Sequence, residues 1–116
     1  MNTSKFNGII EEQIERCTST LVKKADEYAT ADRLHNFKVA AEVQGCTAVG
    51  ALGGMMCKHT VSVYDMINGH ERGEQYPIEL WNEKITDSIN YLLLLAAAIR
   101  EETEGEHYAN NSGDGK

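Results

Sequence analysis

The chain has 116 residues, 41% of them hydrophobic and 25% charged, and its 11 Lys+Arg against 18 Asp+Glu give a formal net charge of −7. That length supports a single domain, and the negative balance opposes the counterion release that draws proteins onto phosphate backbones, which argues against duplex nucleic acid as a partner. No run approaches the ~18 uninterrupted apolar residues of a membrane span, and the opening MNTSKFNG lacks the basic and apolar segments of a signal peptide, so the sequence reads as cytoplasmic with no membrane partner.

Apolar residues recur at intervals of three and four, and Pro77 is the single proline, a pattern that predicts an all-α bundle of about four helices. The first helix is predicted from about Asn7 to Ala31, with Phe6, Ile10, Ile14, Cys17, Leu21, Ala25 and Tyr28 in one stripe. A second, from about Arg33 to Gln44, places Val39, Ala40 and Val43 on its apolar side, carries Asn36 in the same stripe, and closes at Gly45. Thr47 caps a third helix that runs to about Ile67 and turns Ala48, Leu52, Met55, Met56, Val63 and Met66 inward. Within it, Gly53 and Gly54 read as a close helix crossing. Asn68 to Tyr76 is polar and reads as a loop. Pro77 then opens a fourth helix that reaches about Glu104.

The segment Tyr91 to Ile99 (YLLLLAAAI) is apolar on all sides and needs neighbours around its circumference. One chain supplies few of them, so the bundle is expected to be completed by homo-oligomerisation, as a dimer or higher assembly. Residues 1–104 are read as one helical domain, and the aperiodic stretch 105–116 as a disordered polar tail. Cys17, Cys46 and Cys57 lack CxxC spacing and are expected to stay reduced.

Three groups of residues carry candidate chemistry. Glu83, Asp87 and Asn90 fall at i, i+4 and i+7 on the fourth helix, where their oxygens share a face that continues into Leu94 and Ala97. Oxygen donors at such a boundary suit Mg²⁺, although the same spacing also describes a solvated helix face. On the third helix, His59 lies within the apolar stripe, either as a hydrogen-bonded core residue or as a ligand or base. Lys58, Ser62 and Asp65 share a neighbouring face, which would suit a phosphate at Lys58 and a cation at Asp65, or else an exposed polar strip. At the junction of the first two helices, Arg33 and Asn36 are placed for an anion, with Glu27 and Tyr28 closing the same site and Asp32 as the candidate N-cap.

The elements K-x-x-E-Y (Lys24, Glu27, Tyr28), D-R-L-H-N-F (Asp32 to Phe37), G-M-M-x-K-H (Gly54 to His59), S-V-Y-D (Ser62 to Asp65) and E-K-I-T-D-S-I-N-Y (Glu83 to Tyr91) resemble small phage and prophage proteins related to the MazG-like all-α nucleotide pyrophosphohydrolases, over about Phe6 to Ile99. The resemblance implies paired subunits whose facing helices hold Mg²⁺ through acidic side chains and release pyrophosphate from a nucleoside triphosphate. It matches Asp87 and Asn90 to the late acidic and amide positions, with Glu83 one residue off the E-x-x-D spacing. An E-E-x-x-E run is present as Glu11, Glu12 and Glu15, but Glu12 and Glu15 face away from the apolar stripe and are left out of the expected site.

Three functions follow as expectations. In the first, an Mg²⁺-dependent hydrolase uses Glu83, Asp87 and His59 in catalysis, Glu83, Asp87, Asp65 and Glu27 as metal ligands, and Arg33, Asn36, Lys58, Asn90 and Tyr28 on the nucleotide. The second is a metal-free sponge that sequesters a host (cyclic) nucleotide immune signal, an anti-defence role. The third is an acidic protein inhibitor of a host enzyme.

Overall fold

A computed structural model describes the backbone of residues 1–27 and 32–114 and the side chains of residues 1–23 and 32–105. Four helices follow one another, α1 (Thr3–Glu27), α2 (His35–Gln44), α3 (Ala48–Glu71) and α4 (Ile78–Asp114), and there is no strand among the described residues. α1 begins earlier than its apolar stripe suggests because Asn2 caps it: its Oδ1 accepts from the Lys5 N–H at 2.9 Å. α2 ends at Gly45, in the left-handed conformation at φ 69°. The Thr47 hydroxyl opens α3 by accepting from the Gly50 N–H at 3.0 Å.

α3 runs on through Asn68 and Gly69 to Glu71, so the polar stretch expected to be loop is half helical. The chain turns at Gly73, φ 92°, and folds back so that Tyr76 and Glu74 lie against the buried face of Gly69. A Cβ on Gly69 would overlap the Tyr76 hydroxyl, whose ring packs edge-on against Trp81 at 5.9 Å. Gly69→Ala is therefore expected to push the ends of the Tyr76 and Glu74 side chains aside, at a cost to stability below about 1 kcal/mol because both ends are at the surface and free to shift. Because Trp81 is the only tryptophan, its fluorescence in a urea titration reports the displacement directly.

Gly53 and Gly54 correct the sequence reading. A Cβ at either position meets nothing within 4 Å, so no helix crosses closely there. Gly54 is exposed within a helix, and Gly54→Ala is expected to raise stability by about 0.5–1 kcal/mol by removing backbone freedom from the unfolded chain.

The helices pack in the spatial order α1, α4, α3, α2. Leu34, Phe37, Leu52 and Ala98 form the core, with Met55, Tyr91, Leu94 and Leu95 packed around it. α2 thus buries the face of Phe37 and Ala41, whereas Val39, Val43 and Asn36 are exposed, which reverses the face expected for this helix. Its ten residues carry apolar side chains on two sides, and the larger Phe37 decides which side turns inward.

α1 runs parallel to α4, since Gln13 donates to Thr86 at 2.9 Å while Leu21 lies beside Leu93 and Leu94 farther along both helices. α4 continues helical to Asp114, beyond its expected end near Glu104 and through much of the stretch read as tail. No helix among the described residues is long and apolar enough to cross a membrane.

Lys38 ties α2 to its neighbours, with Nζ 2.7 Å from Asp32 and 2.6 Å from Glu101 on α4. The bond from Lys38, reinforced by the Leu34 N–H, holds the Asp32 carboxyl below its ordinary pKa, and bonding to Asp32 and Glu101 raises that of Lys38. A depressed carboxylate contributes stability above its unfolded pKa and loses it as pH falls through the folded value. Lys38→Met is accordingly expected to flatten the acid side of a plot of urea midpoint against pH. The raised lysine acts at the opposite end, losing its contribution as pH climbs through its folded value.

Candidate functional site

Asp87 is the centre of the candidate site. It lies one residue after Thr86, which is buried at the α1–α4 seam, so its carboxylate emerges beside that seam. On one side opens a groove of about 630 Å³ between α1 and α4, lined by Glu12, Glu15, Arg16, Ser19 and Thr20 from α1 and Glu79, Asn82, Glu83, Thr86 and Asp87 from α4. On the other lies a more enclosed cavity of about 50 Å³, walled by Leu21, Arg33, Phe37, Asp87, Asn90, Tyr91 and Leu94. Asp87 belongs to both.

Among the described residues five carboxylates line the groove against one guanidinium, Arg16, which leans on Glu12 at 3.6 Å and donates to Gln13 at 3.4 Å. This field attracts cations and repels a bare phosphate. Among the described residues, however, no three His, Cys, Asp or Glu side chains come together closely enough to hold a metal ion by themselves.

The inner cavity has the opposite character. Arg33 lies in its wall, fixed by a bond from Nη2 to the Leu21 carbonyl at 3.0 Å. Asn90 is 5% exposed, and its Oδ1 accepts no hydrogen bond among the described residues. A buried acceptor left in this state costs on the order of 1–3 kcal/mol, so its presence requires an explanation. His59 approaches from α3, with Nδ1 3.9 Å from Asp87 Oδ2 and its ring stacked on Tyr91 at a centroid distance of 4.5 Å. Phe37 meets the same Tyr91 edge-on at 6.3 Å, so the core fixes the platform on which His59 lies.

Of the residues expected from the sequence, Glu83, Asp87, Asn90, Arg33 and His59 gather at this junction. Asn36 does not: α2 turns it to solvent because Phe37 takes the inward position. Lys58 and Asp65 are exposed on α3 and line neither cavity; Asp65 acts instead on Tyr76, whose pKa is raised chiefly by its bond to Glu74. Tyr28 and the side chain of Glu27 lie outside the described residues.

Asp32 is not the N-cap of α2, a position held by Leu34; its Oδ1 instead accepts from the Leu34 N–H at 3.0 Å. The groove also takes in Arg16, Glu79 and Thr86, with Gln13 at the seam, none of which the sequence singles out, and Glu12 and Glu15, which its apolar stripe leaves aside. The E-E-x-x-E run was the available signal. Glu12 and Glu15 do lie away from the apolar stripe, and that position is what brings them into a groove beside the seam.

In comparisons with protein-family models, curated proteins and solved structures, nothing matches this chain.

Proposed function

We propose that the chain binds a nucleoside triphosphate at the Asp87 junction and hydrolyses it, with Mg²⁺, to the monophosphate and pyrophosphate. The observation that carries this reading is that Asp87 lines both an acidic groove and a small, more enclosed cavity whose wall includes Arg33 and Asn90, the latter with an Oδ1 that accepts no hydrogen bond among the described residues. A groove of this charge favours an anion that arrives with its cation over one that arrives bare. The resemblance to MazG-like pyrophosphohydrolases supplies the reaction class.

The donor set fits Mg²⁺, a hard cation usually held by one or two carboxylates and completed by phosphate oxygens and water. Glu83 and Asp87 would hold it, and when bound it supplies charge neutralisation and an activated water. Arg33 offsets phosphate charge, and Asn90 accepts a donor group of the ligand. His59, stacked on Tyr91 with Nδ1 3.9 Å from Asp87, would steady that carboxylate, and Glu12 or Glu15, which line the same groove, would take the proton from water.

Thermal unfolding with a panel of nucleoside triphosphates and cyclic dinucleotides, each with Mg²⁺ and with EDTA, followed by chromatography of the ligand, tests this reading. Stabilisation confined to Mg²⁺ with release of monophosphate is expected; stabilisation in EDTA with ligand recovered intact would identify a sponge instead. Asn90→Leu provides a second test. Replacing the amide by an apolar group of similar shape is expected to leave stability unchanged or raise it while abolishing the ligand response.

A further inference from the structure

Three spaces follow one another along α4: the acidic groove that ends at Asp87, the inner cavity at Asp87 and Asn90, and beyond it a cleft of about 400 Å³ that reaches Ala97 and Glu101. The inner cavity shares Asp87 with the groove and Leu21, Arg33 and Leu94 with the cleft, whose wall is mostly leucine and alanine. The acids of the cleft, Asp32 and Glu101, are both bonded to Lys38, so this space carries little net charge. The order is that of a nucleotide: phosphates with their cation, then sugar, then base. The inner cavity measures about 50 Å³, too little for a sugar or base ring and close to the ~30 Å³ that one water molecule occupies. Its wall holds two acceptors, the Asp87 carboxylate and the buried Asn90 Oδ1, beside the positive charge of Arg33. The complement is a small neutral group that donates a hydrogen bond and turns a lone pair toward the guanidinium. A hydroxyl does both, whereas an ammonium is repelled by Arg33 and the amino group of a base only donates.

We infer that the inner cavity is a hydroxyl socket, and that the group Asn90 accepts from is a sugar hydroxyl of the nucleotide, an inference that rests on the functional reading above. Asn90 follows Asp87 by three residues, about 4.5 Å along the helix. The socket therefore lies next to the phosphate end of the site, where the sugar is joined. The substrate class is then a nucleoside triphosphate that keeps its sugar hydroxyls, selected more by sugar than by base, since leucine and alanine side chains in the cleft make apolar contact with any base. A water molecule carries the same O–H chemistry, and ligands that differ only in the sugar separate the two sources.

Titrating ATP, GTP, CTP and UTP, their 2′,3′-dideoxy forms and inorganic tripolyphosphate against the thermal midpoint of the full chain, all with Mg²⁺, tests it. The dideoxy forms are expected to bind about tenfold more weakly or worse, because they leave a buried acceptor without its donor. Asn90→Leu is expected to bring each nucleotide down to the level of its dideoxy form and to leave the tripolyphosphate response unchanged. Equal binding of the two sugar forms by the parent would mean that water alone occupies the socket, and would overturn the inference while the functional reading stands. A tripolyphosphate response lost in Asn90→Leu would also overturn it, since Asn90 would then act at the phosphate end. Should that variant not fold, the two sugar forms on the parent decide. No Mg²⁺-dependent response to any nucleotide or to tripolyphosphate would sink the functional reading, and the socket with it.

Discussion

Asp87→Asn is expected to remove the Mg²⁺-dependent thermal shift and to lower turnover about 100-fold or more, while the circular dichroism spectrum and urea midpoint stay close to those of the parent. The substitution keeps size and hydrogen-bonding capacity and deletes one charge. Among the described residues Asp87 makes no hydrogen bond on which the helix depends, and its Oδ2 lies 3.9 Å from His59 Nδ1, so the fold loses little. The site loses the one carboxylate shared by the groove and the cavity. Glu83 is exposed at the groove rim, and Glu83→Gln alone should have a smaller effect. Combined with Asp87→Asn it should abolish hydrolysis. If the double variant binds nucleotide as well as the parent does, the metal assignment fails.

How legible the molecule is depends on whether a feature is local. Gly45, Thr47 and Pro77 mark helix ends through backbone chemistry that their own side chains determine, and the structure has helix ends at each. The i, i+4, i+7 spacing that joins Glu83, Asp87 and Asn90 is a property of one helix and can be read without knowing its neighbours. α2 could not be read this way, because its apolar residues satisfy helical spacing on two faces and only the packing of Phe37 against Tyr91 selects one. The same ambiguity makes Asn36, which is exposed, look like an inward-facing residue in the sequence.

The groove was out of reach for a different reason. It depends on the parallel register of α1 against α4, which Gln13 and Thr86 fix across 73 residues of sequence. Without that register, Glu12 and Glu15 are correctly seen to lie off the apolar stripe, and nothing indicates that a cavity opens beside it.

Leu52→Ala is expected to destabilise the chain by about 3–5 kcal/mol in urea titrations compared at equal protein concentration. Leu52 is the largest fully buried side chain among the described residues, at 0% exposure, and it belongs to the same core cluster as Leu34, Phe37 and Ala98. Removing it costs the transfer energy of the deleted atoms plus that of the cavity left behind. A core with few such residues has little else to collapse into the space. Domains of this size are stable by only ~5–15 kcal/mol, so the loss takes a large share of the total. Leu52→Met, which conserves volume, should cost less than about 1.5 kcal/mol. The difference between the two variants matters for the site as well. Tyr91 packs on this core and carries His59 on its face, so a void at Leu52 loosens the platform from below. Leu52→Ala should therefore weaken the nucleotide response even where the protein is still folded, and Leu52→Met should preserve it.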